Sequence, residues 1–218
     1  MGGSGELMLD YLNWSVEELF QKAASPAPEP GGGGVSAMTG CLGAGLLSMV
    51  ARITVGKEKY KEFMQEITGI ISSLDKNMEA LKSLAQRDMD AFNGFMEALA
   101  MPRHTPEEKA LREQKKQQAA LLSAGVPLEI ARTCLSCLKA ANELAAIGAK
   151  LAISDVGVGA HLLEASLKGA LMMVDDNLGY INDMEKVKKL IEEKEQLTLE
   201  AEEVYRSTLE RVRARMKE

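Results

Sequence analysis

The chain has 218 residues, with 26 basic side chains against 32 acidic ones and a formal charge of −6. That length can bury a hydrophobic core in one or two domains without a disulfide or metal staple. Mild acidity with no basic stripe excludes an obvious nucleic-acid surface, and a composition rich in Ala, Leu, Lys and Glu, with 4% aromatic residues, favours helix.

The opening "MGGSGELML" has no basic segment ahead of a long apolar one, so it does not read as a secretory signal. Residues 1–7 are expected to be a flexible N-terminus of the kind cloning leaves behind, and 8–218 a single helical domain. Ser15 followed by Glu18 forms a capping box for a first helix, with Leu19 and Phe20 on its apolar face. Pro26, Pro28 and Pro30 stop that helix. Gly31–Gly34 then read as a loop, and a second helix is expected from Val35 to Thr54. No charge occurs between Val35 and Ala51. The segment falls short of the ~20 apolar residues that span a bilayer, and its Gly, Ser and Thr residues suit a tightly packed core helix. No membrane partner is expected.

From about Lys59 to Leu99 apolar residues recur at alternating spacings of three and four, as on one narrow helix seam. One member of that seam is a carboxylate, Asp88. Thr105, Pro106 and Glu108 mark the next helix start. That helix is expected to end near Gly125, with Pro127 opening another that runs to Gly148. Ser154 or Asp155 is expected to cap the following helix, whose apolar stripe carries one polar residue, Asn177. Asn182 and Glu185 suggest the cap of a last, highly charged helix. With no strand signal anywhere, the fold class is all-α: an antiparallel bundle of about seven helices with one long member. A homodimer is expected, because a helix of ~40 residues would outrun a monomeric bundle.

Several motifs fail on inspection. The glycine run lacks the Lys-Ser/Thr of a nucleotide loop. "GCLGAG" at Gly40–Gly45 sits in a helical segment with no preceding strand, so it is not a dinucleotide fingerprint. Cys134 and Cys137 have CxxC spacing, but Cys41 and two scattered histidines, His104 and His161, are a poor supply of further zinc ligands. Buried thiols in a reducing cytoplasm are expected, with no metal. Asp88 is the better chemical candidate. A carboxylate among Leu81, Phe92 and Phe95 is desolvated, which raises its pKa toward the range useful for acid–base work. Asn177 reads either as a ligand contact or as a buried helix–helix hydrogen bond.

Five segments, "APEPGGGGVSA", "TVGKEKY", "RDMDAF", "TPEEK…VPLEIA" and "ISDVGVGA", occur in that order between Ala27 and Ala160. Together they resemble the cyclodeaminase/cyclohydrolase family, whose members are the C-terminal half of formiminotransferase-cyclodeaminase and the stand-alone methenyltetrahydrofolate cyclohydrolases. The resemblance covers roughly Val16 to Ile181. It implies an all-helical dimer acting on tetrahydrofolate one-carbon adducts, with no tightly bound cofactor. One branch expels ammonia from 5-formiminotetrahydrofolate to close the methenyl ring. The other opens that ring with water to give 10-formyltetrahydrofolate. By position, the resemblance implies Asp88 and Asp155 as catalytic groups. It implies Gly31, Gly32, Gly33, Gly34, Ser36, Lys57, Lys59, Tyr60, Ser154 and Asn177 as substrate-binding residues. The family's Asn-Val-x-x-Asn reads Met173-Val174-Asp175-Asp176-Asn177 here, with the first Asn lost and two acids gained. The expected activity is the cyclodeaminase, an ammonia lyase, ahead of the cyclohydrolase. A catalytically silent folate-binding dimer is the reading that the altered segment motivates, and a scaffold without folate is the remaining one.

Overall fold

A computed structural model describes residues 11–26 and 29–217, and every described element is helical. There are six α-helices: α1 (Val16–Ala23), α2 (Gly32–Val55), α3 (Met64–Ala100), α4 (Pro106–Ile147), α5 (Ile153–Leu178) and α6 (Met184–Lys217). Short 3₁₀ turns precede α1, α3 and α5. Residues 1–7 and Pro28, for which expectations were stated, lie outside the described residues. The capping boxes at Ser15 and Thr105 form as the sequence implies.

Helices α2, α3, α4 and α5 each pack on the next and close a four-membered antiparallel ring. The fifth long helix, α6, lies in the groove between α4 and α5. Its seam is shallow, and ion pairs flank it: Lys139 with Glu200 at 2.6 Å and Lys194 with Asp175 at 2.6 Å. The core follows the expected seams of α3 and α5, with Ile67, Leu74, Leu81, Leu163 and Leu167 fully buried. Helices α2 and α4 are long and apolar enough to cross a membrane, yet over half of each apolar window is buried in the bundle.

Small residues set the closest approach. A Cβ on Gly43 would lie 3.0 Å from the Gly159 carbonyl, and one on Gly159 would lie 3.0 Å from the Gly43 carbonyl. The α2 and α5 backbones therefore touch at that crossing, which explains why α2 is rich in glycine despite its helical cost. Cys134 and Cys137 are buried thiols, as expected, and burial pushes both pKa values up to about 12.

Four expectations change. Helix α4 does not break at Gly125; it runs through Pro127, so six helices form where about seven were expected. Pro127 has no N–H to offer the Ser123 carbonyl one turn back. The Asn177 side-chain amide fills that gap from α5, donating to Ser123 O at 3.1 Å and to Met173 O at 2.7 Å. The four glycines are not a loop: Gly31 is the N-cap and Gly32–Gly34 are the first turn of α2. Neither Ser154 nor Asp155 caps α5, because a 3₁₀ turn at Lys150–Ala152 feeds directly into it and Ala152 is the cap. Asp183, not Asn182, caps α6, its carboxylate accepting from the Lys186 N–H at 3.2 Å. The length of α3 is also no argument for a dimer, since α4 in the same chain matches it.

Asn177→Ala should cost about 1–2 kcal/mol, the usual penalty for an orphaned carbonyl. In a Pro127→Ala background, where the helix supplies its own N–H, the cost should shrink. Urea unfolding of the four variants reads this cycle, and equal costs in both backgrounds would refute the pairing.

Candidate active site

Helices α3 and α4 overshoot the start of α2 and the end of α5. Asp88 lies beside Gly33, and α3 continues twelve residues beyond it, about 18 Å of helix. The notch beneath this overhang is a cavity of about 330 Å³. Its floor is Gly31–Gly33. Its walls are Phe92, Phe95, Met96 and Leu99 of α3, Ser123 of α4, and Met173, Asp176, Asn177 and Tyr180 from the end of α5. Phe95 and Tyr180 pack ring on ring, with centroids 5.0 Å apart.

Asp88 is seated on the first turn of α2. A Cβ on Gly33 would fall 2.2–2.5 Å from the Asp88 carboxyl atoms, so only glycine leaves room for them. The Gly34 N–H donates to the carboxylate. Helix N-termini carry unsatisfied amides and positive potential, which is why an acid is tolerated on an otherwise apolar seam. Burial still dominates. It raises the Asp88 pKa from 3.8 to about 6, against the smaller opposing effect of the Gly34 amide. The expected acid–base candidate is thus in a cavity, desolvated, and titrates near neutrality.

Two further carboxylates line the cavity. Glu29 is held by the Tyr11 hydroxyl, which donates to it at 2.6 Å. Asp176 sits at the exposed rim. No Lys, Arg or His is among the lining residues described. The altered α5 segment also resolves. Met173 covers the Gly32 position, where a Cβ would meet its sulfur at 3.0 Å. Asp175 faces away and pairs with Lys194 on α6, while Asp176 and Asn177 face the cavity. Because the two Asn177 partners are carbonyl oxygens, its amide orientation is determined, with the oxygen at the other end.

The expected site residues do not all meet. Gly31, Gly32, Gly33, Asp88 and Asn177 line the cavity, and Gly34 contributes its amide. Ser36 faces inward instead: its hydroxyl donates to Gly32 O at 2.7 Å and it is buried against Gly169. Lys57, Lys59, Tyr60, Ser154 and Asp155 lie at the other end of the bundle. They follow the end of α2 or begin α5, and either helix separates them from the cavity by ~35 Å. There the Lys150 N–H donates to the Tyr60 hydroxyl at 3.1 Å. That bond, with help from nearby Lys59, Arg215 and Lys57, lowers the Tyr60 pKa.

Sequence reasoning missed Glu29, Met173, Ser123 and Tyr180 as lining residues. Glu29 stands inside the quoted proline-glycine segment. Met173, Asp176, Asn177 and Tyr180 follow three-and-four spacing, a signal present in the sequence. Ser123 had none, since it reaches the site only because α4 passes unbroken through Pro127.

A family model described as Formiminotransferase-cyclodeaminase matches residues 15–196. The chain belongs to the formiminotransferase-cyclodeaminase family. A methenyltetrahydrofolate cyclohydrolase from Methylorubrum extorquens is 33% identical over 94% of this chain and 98% of its own length. The formimidoyltransferase-cyclodeaminase of Mus musculus is 32% identical over 79% of this chain, which spans only 32% of the mouse protein. Among solved structures, the formiminotetrahydrofolate cyclodeaminase of Thermotoga maritima superposes with a TM-score of 0.84 at 27% identity, covering 93% of this chain and 98% of that one. The family expectation and the all-helical fold are thereby borne out.

Two outcomes follow from the seat of Asp88. Gly33→Ala should displace the carboxylate while α2 stays helical, lowering kcat/KM about 100-fold or more; unchanged kinetics would sever Gly33 from the site. Asp88→Asn should stabilise the fold at pH 7 to 8, because an acid whose folded pKa is raised destabilises the folded state once ionised. The shift from 3.8 to about 6 corresponds to roughly 3 kcal/mol at most. The gain should fade as pH falls from 6 and vanish below about 4, where the wild-type acid is protonated in both states. Thermal melts across that range test the sign.

Proposed function

We propose that this chain makes and breaks bonds at the one-carbon unit of a tetrahydrofolate adduct, and that its reaction is the hydrolysis of 5,10-methenyltetrahydrofolate to 10-formyltetrahydrofolate. One observation carries the reading: the acidic side chains among the described lining residues are the three carboxylates of Glu29, Asp88 and Asp176, with no basic group beside them, set among aromatic faces. The methenyl group is an amidinium-type cation spread over N5 and N10. A partly desolvated pocket with acidic and aromatic walls favours such a cation over a neutral ring.

In this reading Asp88 is the base. At pH 7, one unit above its pKa, about nine-tenths of it is ionised. Water attacks the methenyl carbon while its proton passes to the Asp88 carboxylate, giving a neutral carbinolamine. As the carbon–N5 bond breaks, Asp88 returns that proton to N5. The carbinolamine hydroxyl loses its proton to solvent as the formyl C=O forms on N10. One proton is released per turnover, and no redox partner is needed. Asn177 and the Gly31–Gly33 turn orient the ring, and Glu29 and Asp176 add negative potential. The end-to-end match with the Methylorubrum cyclohydrolase supports placing hydrolysis first, although the motifs alone favour deamination.

Deamination is the second reading, favoured by the likeness to the Thermotoga cyclodeaminase. The same carboxylate would take the N10 proton as N10 attacks the protonated formimino carbon. It would then pass that proton to the departing nitrogen, and ammonia leaves. Both substrates are cations, so the cavity suits either. Three free thiols support a reducing, cytoplasmic setting.

A paired assay of methenyl absorbance separates the two: loss above the spontaneous rate means hydrolysis, and appearance from the formimino compound means deamination. For hydrolysis, kcat/KM should fall about tenfold per pH unit below about 6 and level off above it. Asp88→Asn should lose about 10²–10⁴-fold in turnover with substrate affinity nearly kept. Turnover of neither compound, or an Asp88→Asn variant at full rate, would defeat the proposal.

A further inference from the structure

Of the three cavity carboxylates, Glu29 is the one gripped by another side chain among the described residues. Its partner, Tyr11, belongs to the short 3₁₀ turn Tyr11–Asn13, which precedes α1 and packs on α3. Tyr11 is buried, and its ring meets Trp14 edge-on with centroids 4.8 Å apart. Its N–H donates to Gln86 Oε1 at 3.4 Å, and Gln86 Nε2 donates in turn to Asp90 at 2.9 Å. Asn93 lies beside its hydroxyl. Gln86, Asp90 and Asn93 recur at four and three, so they form a stripe on α3 distinct from that of Asp88, Phe92 and Phe95. The turn is thus fastened to the flank of α3, and the Tyr11 hydroxyl reaches from there to the edge of the cavity.

That hydroxyl donates to Glu29 Oε2 at 2.6 Å, the length of a charge-assisted bond. Burial first, and the Glu29 carboxylate second, raise the Tyr11 pKa well above its ordinary value, so the group stays a donor. It uses one lone pair of Oε2. Oε1 and the other Oε2 lone pair are left for a ligand, and no basic side chain among the described lining residues competes for them. A carboxylate held this way is two acceptors at fixed spacing, which fits a planar group with two adjacent N–H donors. The pterin ring of a tetrahydrofolate has such an edge, the N3–H and 2-amino group of its pyrimidine half. Its N5, which carries the one-carbon unit, is on the other half of the same bicycle. Glu29 is four residues from Gly33, at most ~14 Å of chain, and Asp88 lies against Gly33. One carboxylate for each end of one ring fits a cavity of about 330 Å³.

We propose that Glu29 selects the substrate by accepting from the N3–H and 2-amino group of the pterin, and that Tyr11 positions Glu29 for this. The ligand rests on the folate reading above. The role differs from negative potential, which favours any cation; a two-point acceptor favours this edge.

Titration calorimetry with tetrahydrofolate and its 2-desamino-2-methyl analogue tests the proposal. The analogue keeps the ring, N5 and the tail and lacks one donor. Wild type should bind tetrahydrofolate at least about tenfold more tightly than the analogue. Glu29→Gln, which can still accept from Tyr11 but turns an amide N–H toward one ligand donor, should cut that preference to about twofold or less. Equal losses for both ligands would show Glu29 acting through charge only and overturn its selective role. Tyr11→Phe keeps the buried ring and removes only the hydroxyl. It should cut the preference several-fold and raise KM, with the midpoint of the pH profile still about 6, and it should add nothing to Glu29→Gln in the double variant. A Tyr11→Phe chain that melts earlier with its preference intact overturns the positioning role. The binding measurement needs no turnover. A wild type that shows the preference but converts neither adduct defeats the proposed reaction and keeps Glu29; one that converts an adduct without the preference does the reverse. A wild type that binds neither ligand defeats both.

Discussion

The contact between the Asp88 carboxylate and the first turn of α2 organises this molecule. An acid on a core seam is costly unless something compensates it. Here the compensation is a helix N-terminus whose residues lack side chains, so the carboxylate can occupy the space of a Gly33 Cβ and accept the Gly34 N–H. The same contact fixes how α3 crosses α2, and hence where the α3–α4 overhang falls. The cavity lies beneath that overhang. Structure and chemistry therefore share one constraint: α2 must begin in glycine.

A second constraint acts through α4. Pro127 would ordinarily end a helix, and the local sequence reads that way. The helix continues because a side chain on α5 replaces the missing donor. Asn177, 54 residues from Ser123 along the chain, donates to the orphaned Ser123 carbonyl. That bond also holds Asn177 at the cavity wall. The two readings of Asn177, helix–helix bond and ligand contact, are thus not alternatives. Its nitrogen does the first and its position permits the second.

Much of the architecture is legible in the chain. The alternating three-and-four spacing of α3 names its buried residues, and Asp88 stands out because it breaks that pattern. The capping boxes at Ser15 and Thr105 mark two helix starts. The glycine turn reads as a loop because four glycines in a row have poor helix propensity, and propensity is a local quantity. Packing against Asp88, Met89 and Met173 is not local, and it is what makes those glycines helical. The site is legible in kind rather than in place. Motif order gathers Lys57, Lys59, Tyr60, Ser154 and Asp155 with the cavity, and the lengths of α2 and α5 set them at the opposite end. Such separation is invisible to a motif, which records order along the chain and not distance across the bundle.

The chemistry of the cavity turns on Asp88 being a desolvated carboxylate seated on a glycine turn, and its titration measures this directly. Carboxyl ¹³C shifts of selectively labelled aspartate, followed from about pH 3 to about pH 9 with Asp88→Asn for assignment, should show Asp88 titrating at about 6. A midpoint at or below about 4, the ordinary value, would contradict the account.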